Sequence, residues 1–123
     1  MLDIIYNICN KENDDYYRSS IQSIIDQNYN NCRITVSSCL NSEKTINNIL
    51  KNFKNKINIS WIKEKLPINV TFNKSVNELI KRFGKSRVYC YIDSGCNLIN
   101  NPNVLKELYN LHISGPYGMT VGR

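Results

Sequence analysis

The sequence has no alanine, a single histidine (His112), a single tryptophan (Trp61), and no pair of cysteines spaced Cys-x-x-Cys. Alanine codons are G/C-rich, whereas those of Asn, Ile and Lys are A/T-rich. Zero Ala beside 20 Asn, 17 Ile and 11 Lys therefore reflects nucleotide bias in the gene, and the Asn surplus says little about function. Three glycosylation sequons, at Asn58, Asn69 and Asn73, are what so many asparagines yield by chance. The cysteines, Cys9, Cys32, Cys39, Cys90 and Cys96, are odd in number and lack metal-ligand spacing. That disfavours zinc modules and a secreted disulfide framework, and it predicts reduced, mostly buried thiols.

Other absences exclude further classes. No apolar run approaches the roughly 20 residues of a membrane span. The N-terminal Met1-Leu2-Asp3 offers no basic segment or long apolar segment of a signal peptide, so the chain is expected to be cytoplasmic. No Gly-x-Gly-x-x-Gly follows the first expected strand and no Gly-Lys-Ser/Thr occurs, which argues against dinucleotide oxidoreductases and P-loop NTPases. His112 falls on an expected helix far from every strand end, so neither a Cys-His pair nor a Ser-His-Asp set presents itself; it is expected to be a half-exposed residue near a helix C-terminus.

What is present suits one globular domain over residues 1–123: 41% hydrophobic and 21% charged residues in 14.3 kDa. The net charge of +6 is uneven. Residues 1–43 carry three bases and six acids, 44–87 eleven and two, and 88–123 two and two. The basic middle suits an anionic partner, a nucleotide diphosphate or a nucleic acid, although a solvated Lys-rich face produces the same count.

Apolar periodicity lays out alternating elements. Leu2–Ile8 reads as a strand, and Asn13-Asp14-Asp15 cap a helix carrying Tyr17, Ile21, Ile24 and Ile25 at helical spacing. A strand over Cys32–Ser37 precedes a helix over 43–53 with Ile46, Ile49, Leu50 and Phe53 on one face. A strand over Ile57–Ile62 precedes a helix from Val70 with Phe72, Val76, Leu79, Ile80 and Phe83 as its apolar face and Gly84 as its C-cap. Val88–Ile92, unbroken and apolar, reads as a strand covered on both faces, and Asn103–His112 as a last helix. Four strands alternating with four helices predict an α/β fold: an open, mostly parallel sheet with helices on both faces, of Rossmann-like, nucleotide-binding type. Ligands of such sheets bind beyond the carboxyl ends of the strands, which here means Asn7–Asn13, Ser37–Ser42, Lys63–Asn73 and Asp93–Asn97. Asp93 is the one carboxylate ending an apolar strand. It could accept from a ribose hydroxyl, ligate Mg²⁺ or Mn²⁺ bridging two phosphates, or simply cap the turn at Ser94-Gly95.

Several stretches resemble the nucleotide-binding half of a family 2 glycosyltransferase of GT-A fold. Ser23-Ile24-Ile25-Asp26-Gln27-Asn28-Tyr29 is similar to the Ser-Ile/Leu-Leu-x-Gln-Thr/Ser-Tyr that ends that family's first helix. Asn10-Lys11-Glu12 resembles its first loop, Asn41 to Thr45 its second, and Asn73 its helix asparagine. Tyr91-Ile92-Asp93-Ser94-Gly95 through Pro102 resembles its strand, Asp-x-Asp motif and downstream proline. The resemblance implies binding of a nucleotide-diphosphate sugar by Asn7, Cys9, Asn10, Ser38, Cys39, Asn73 and Asp93, with Mg²⁺ or Mn²⁺ at Asp93. It also implies inverting transfer of the sugar to a glycan, lipid or protein acceptor that the sequence does not specify.

Departures from the pattern bear on activity. Ser38-Cys39 stand where the family places an aspartate pair, Asn7 and Cys9 where it places Thr/Ser-x-Tyr, and Gly95 where its second metal-binding aspartate belongs. No catalytic base is assignable, and an acceptor-binding half has no room in 123 residues. The leading expectation is thus a divergent or truncated glycosyltransferase-like domain. Its alternative is a non-catalytic interaction domain that retains the fold. Nucleic-acid binding through 44–87 ranks third, because that segment lacks interleaved aromatics and Trp61 sits on an alternating strand.

Overall fold

The computed structural model describes residues 2–8, 13–38, 43–53, 59–65, 71–93 and 97–115. Strands β1 (Leu2–Ile8), β2 (Cys32–Ser38), β3 (Ile59–Lys65) and β4 (Val88–Asp93) alternate with helices α1 (Asp14–Ile25), α2 (Glu43–Leu50), α3 (Thr71–Phe83) and α4 (Val104–Ile113). The strands form one parallel sheet in the order β3-β2-β1-β4. The expected α/β fold with a parallel sheet is therefore observed, and every described pairing in the sheet is parallel.

Side chains of successive strand residues point to opposite faces, so registered neighbours in a parallel pair share a face. Leu2, Ile4, Tyr6 and Ile8 of β1, with Cys32, Ile34 and Val36 of β2 and Ile92 of β4, form the main core. Tyr17, Ile21 and Ile24 of α1, Ile46 and Ile49 of α2, Phe53, and Leu105 of α4 cover it. Burying each such Ile or Leu contributes about 2 kcal/mol before its entropy cost. The opposite face belongs to α3, which buries Leu79 and Ser75 there. Asn13 caps α1, its Oδ1 accepting from the Tyr16 amide at 2.8 Å. Gly84, at φ +79°, ends α3 with its amide bonded to the Ile80 carbonyl, in a left-handed conformation that disfavours other residues.

Four expectations need correction. The helix foreseen over 43–53 stops at Leu50 and passes into a turn that still buries Phe53. The third strand runs on to Lys65, past the expected end at Ile62, pairing with β2 from Ile34↔Ile59 and absorbing an irregularity between Val36 and Ser38; Ile57 and Asn58 lie outside the described residues. β4 is not covered on both faces. It is an edge strand with Tyr91 and Asp93 exposed. On α3, only Leu79 of the five apolar residues is fully buried, while Phe72, Ile80 and Phe83 are 43%, 39% and 44% exposed. The helix turns its Ser75–Leu79 side to the sheet and leaves its apolar flank in solvent. Cys32 is buried and Cys90 half-buried, neither in a disulfide; Cys9, Cys39 and Cys96 lie outside the described residues.

The α3 face of the sheet is unusually polar. Asp3, fully buried, faces Arg33 across the β1–β2 pairing, and the guanidinium donates twice to its carboxylate at 2.7 and 2.8 Å. Ser86 also donates to Asp3, and the Arg33 guanidinium lies 3.7 Å over the Phe83 ring. Burial alone would raise the Asp3 pKa. The bonds from Arg33 and Ser86 outweigh it and hold the carboxyl below its ordinary 3.8. A depressed folded-state value means stability that is complete above the unfolded pKa and lost as the pH falls through the folded one. Ser75, by contrast, buries a hydroxyl with no hydrogen-bond partner.

Two outcomes follow for stability. Asp3→Asn should cost about 3 kcal/mol in denaturant titration at pH 7, since it leaves Arg33 beneath α3 without its counter-charge. It should also flatten the fall in stability below pH 4 seen for the parent; an unchanged acid limb would refute the role given to Asp3. Ser75→Ala removes an unsatisfied hydroxyl at little loss of volume, so its midpoint should rise or stay level, by about 1 kcal/mol at most.

Candidate functional site at the carboxyl rim of the sheet

Strand order reverses at β1, whose neighbours are β2 on one side and β4 on the other, so the crevice of an open α/β sheet belongs at the carboxyl ends of these three strands. The last rung there is Ser37↔Asn7↔Asp93, three side chains in register on the α3 face. Asn7 is buried. Its Oδ1 accepts from Ser37 Oγ at 3.0 Å and its Nδ2 donates to the Tyr91 hydroxyl at 2.8 Å. The Tyr91 ring in turn meets Phe72, from the first turn of α3, edge to face at 5.9 Å between centroids. Burial, with the Asp93 carboxylate nearby, raises the Tyr91 hydroxyl pKa against the lowering effect of Asn7, so this hydroxyl stays protonated near neutrality.

Asp93 is exposed, and no described residue donates to or pairs with its carboxylate. Asn73 is also exposed, next to Phe72 in the first turn of α3. Ser38 behaves differently: it lies on the other face of β2, buried, with its hydroxyl donating to the Ile8 carbonyl at 3.2 Å. Of the expected site residues, Asn7 and Asp93 share one face of the rim, Ser38 turns to the other, and Asn73 is exposed on the first turn of α3. Cys9, Asn10, Cys39 and Gly95 lie outside the described residues. Sequence reasoning passed over Ser37, Tyr91 and Phe72. Strand alternation with a register would have found the first two, since both share a face with Asn7 and Asp93.

Because α3 runs back against the strands, Lys81, Arg82, Lys85 and Arg87 sit at the opposite, amino end of the sheet, all exposed. Lys74, in the first turn of α3, is at the rim. Among the described residues no group of three or more His, Cys, Asp or Glu side chains could hold a metal ion. One carboxylate with substrate phosphates and water still suffices for Mg²⁺ chemistry, so Asp93 fits a cation brought in with a diphosphate.

Behind the rim, the Gln-x-Tyr stretch has a clear structural task. Residues 97–103, following β4, run alongside α1 and are bonded to it in sequence. Asn97 bonds to Ser19 Oγ, the Leu98 amide donates to Ser23 Oγ at 3.0 Å, and the Asn28 amide donates to the Pro102 carbonyl at 2.7 Å. Gln27, buried, closes the set. Its Nε2 donates to the carbonyls of Leu98 and Asn101 at 3.2 and 2.7 Å, and its Oε1 accepts from the Leu105 amide at 3.2 Å. Tyr29 packs on Tyr109 of α4, centroids 5.4 Å apart. The motif straps the segment after Asp93 to the first helix.

Comparison with solved structures yields S. aureus TarS residues 1–349, at 14% identity and TM-score 0.63 over 99% of this chain and 38% of that one. The chain has a glycosyltransferase-like fold. The same protein in complex with UDP-GlcNAc matches at 17% identity and TM-score 0.61, over 99% of this chain and 37% of that one. A further S. aureus TarS structure gives 17% and 0.59, over 99% and 23%. The chain spans well under half the length of these neighbours. No protein-family model and no curated protein matches the sequence. None of the described helices is long and apolar enough to cross a membrane.

Replacing Gln27 by Ala tests the strap. It strips the buried Leu105 amide and two carbonyls of their partner, and should cost about 2–3 kcal/mol. Amide exchange at Leu98 and Leu105 should accelerate ahead of β1; uniform acceleration across the sheet would contradict a local clamp.

Proposed function

We propose that the rim between β1 and β4 binds a nucleotide-diphosphate sugar and that the chain is a divergent glycosyltransferase-like domain of family 2 type. The observation that carries this reading is the exposed Asp93 carboxylate, which no described residue engages, in register with Asn7 at the point where strand order reverses. The neighbour solved with UDP-GlcNAc supports the choice of ligand class. Asp93 would ligate a Mg²⁺ or Mn²⁺ carried by the diphosphate, Lys74 would add positive charge at the same end, and Asn73 would offer an amide to the nucleoside. In an inverting transfer the cation's contribution is to neutralise the leaving diphosphate. The chain's own part is to hold that diphosphate against β4. A base for the acceptor hydroxyl is not among the residues assigned to the site, and the acceptor (glycan, lipid or protein) belongs to the same proposal, as does a cytoplasmic location.

The alternative, a non-catalytic domain that keeps the fold, draws on Gly95 in place of a second aspartate and on an Asn7 amide already committed to Ser37 and Tyr91.

Titration calorimetry with UDP, GDP and dTDP sugars in the presence of Mn²⁺ separates the first two readings. The parent should bind one donor, and Asp93→Ala should weaken that binding at least about tenfold and abolish its dependence on Mn²⁺, consistent with the loss of a charge-assisted contact. Silence of both proteins towards every donor would leave the interaction domain as the better account.

A further inference from the structure

Exposed aromatic rings are unevenly placed. Among the described residues, the largest exposures of aromatic side chains are those of Phe72 (43%), Phe83 (44%) and Tyr91 (38%). Phe83 lies at the amino end of the sheet, where the Arg33 guanidinium occupies one face of its ring. Phe72 and Tyr91 stand together at the carboxyl rim, beside Asp93 and the Ser37–Asn7 pair.

We propose that Phe72 and Tyr91 form the stacking platform for the nucleobase of the ligand bound at this rim. The inference rests on the nucleotide-sugar reading and adds to it the group that recognises the base. Three observations carry it. The rings meet edge to face, at 73° and 5.9 Å, so each braces the other without their faces covering one another, and both remain substantially exposed. Tyr91 is fixed at its far end: Asn7 Nδ2 donates to its hydroxyl, and Asn7 is itself held by Ser37. A ring immobilised in this way loses little entropy when a planar ligand settles on it. Finally, the surroundings have the polarity such a ligand needs. Asp93 lies two residues beyond Tyr91 on the same face of β4, at the end where a cation-bound diphosphate would sit.

The platform distinguishes base from phosphate, which makes it testable apart from the site as a whole. Affinities for UDP with Mn²⁺ and for inorganic pyrophosphate with Mn²⁺ are measured by calorimetry on the parent, Phe72→Ala and Phe72→Trp, with thermal midpoints recorded for each. Phe72→Ala should weaken UDP about tenfold or more and leave pyrophosphate unchanged, and Phe72→Trp should restore UDP binding, at a midpoint close to the parent's in both cases. If the parent binds UDP and Phe72→Ala binds it equally, the platform is wrong while the nucleotide-sugar reading stands. A parent that binds UDP no better than pyrophosphate also overturns the platform, leaving a diphosphate site. A parent that binds neither overturns both.

Discussion

The constraint on which the rest of the structure depends is the complete burial of β1. This strand is paired on both edges and covered on both faces, yet it carries Asp3 near one end and Asn7 near the other. A buried carboxylate or amide is tolerable only with partners, so each dictates what its neighbours must supply. Asp3 requires Arg33 from β2 and Ser86 from the approach to β4; Asn7 requires Ser37 from β2 and Tyr91 from β4. Sliding either neighbour by one residue would carry these partners to the other face of the sheet. The two polar clusters therefore set the register of three strands, and that register brings Ser37, Asn7 and Asp93 to a single rung.

The same economy of hydrogen bonding explains why a short stretch after the first helix carries so much of the resemblance. Gln27 spends its amide group on the carbonyls of Leu98 and Asn101, in a segment with no regular secondary structure, and its oxygen on the Leu105 amide in the first turn of α4. A carbonyl or amide in an irregular segment beside a helix has few alternatives to a side chain of that reach. Ser23 and Asn28 serve adjoining parts of the segment, and Tyr29 anchors the helix that follows it. The motif is thus about fixing the polypeptide beyond β4, and its connection with a ligand is indirect.

Much of this was legible in the residues. Helix and strand alternation, the Asn13 cap, the Gly84 stop and the buried Tyr17-Ile21-Ile24 stripe all follow from local chemistry, and the structure has them. What local chemistry could not supply was strand order. Val88–Ile92 reads like a central strand because five apolar or aromatic residues in a row are typical of one, but its place at the edge depends on where the chain reverses across the sheet. The α3 stripe misled in a similar way: periodicity says that Phe72, Val76, Leu79, Ile80 and Phe83 share a side, not how that side is angled to the sheet. At the site, Asp93 stood out as a carboxylate ending an apolar strand, and Asn73 through the family resemblance alone. Tyr91 did not, since a tyrosine within a strand reads as core until a register shows its hydroxyl reaching Asn7.

The edge position of β4 has a consequence for how the chain behaves in company. No described strand pairs with the outer side of β4 along Val88–Ile92, a stretch without a single charge to repel an incoming strand. That flank of the described sheet is the one that a further strand would join without meeting charge.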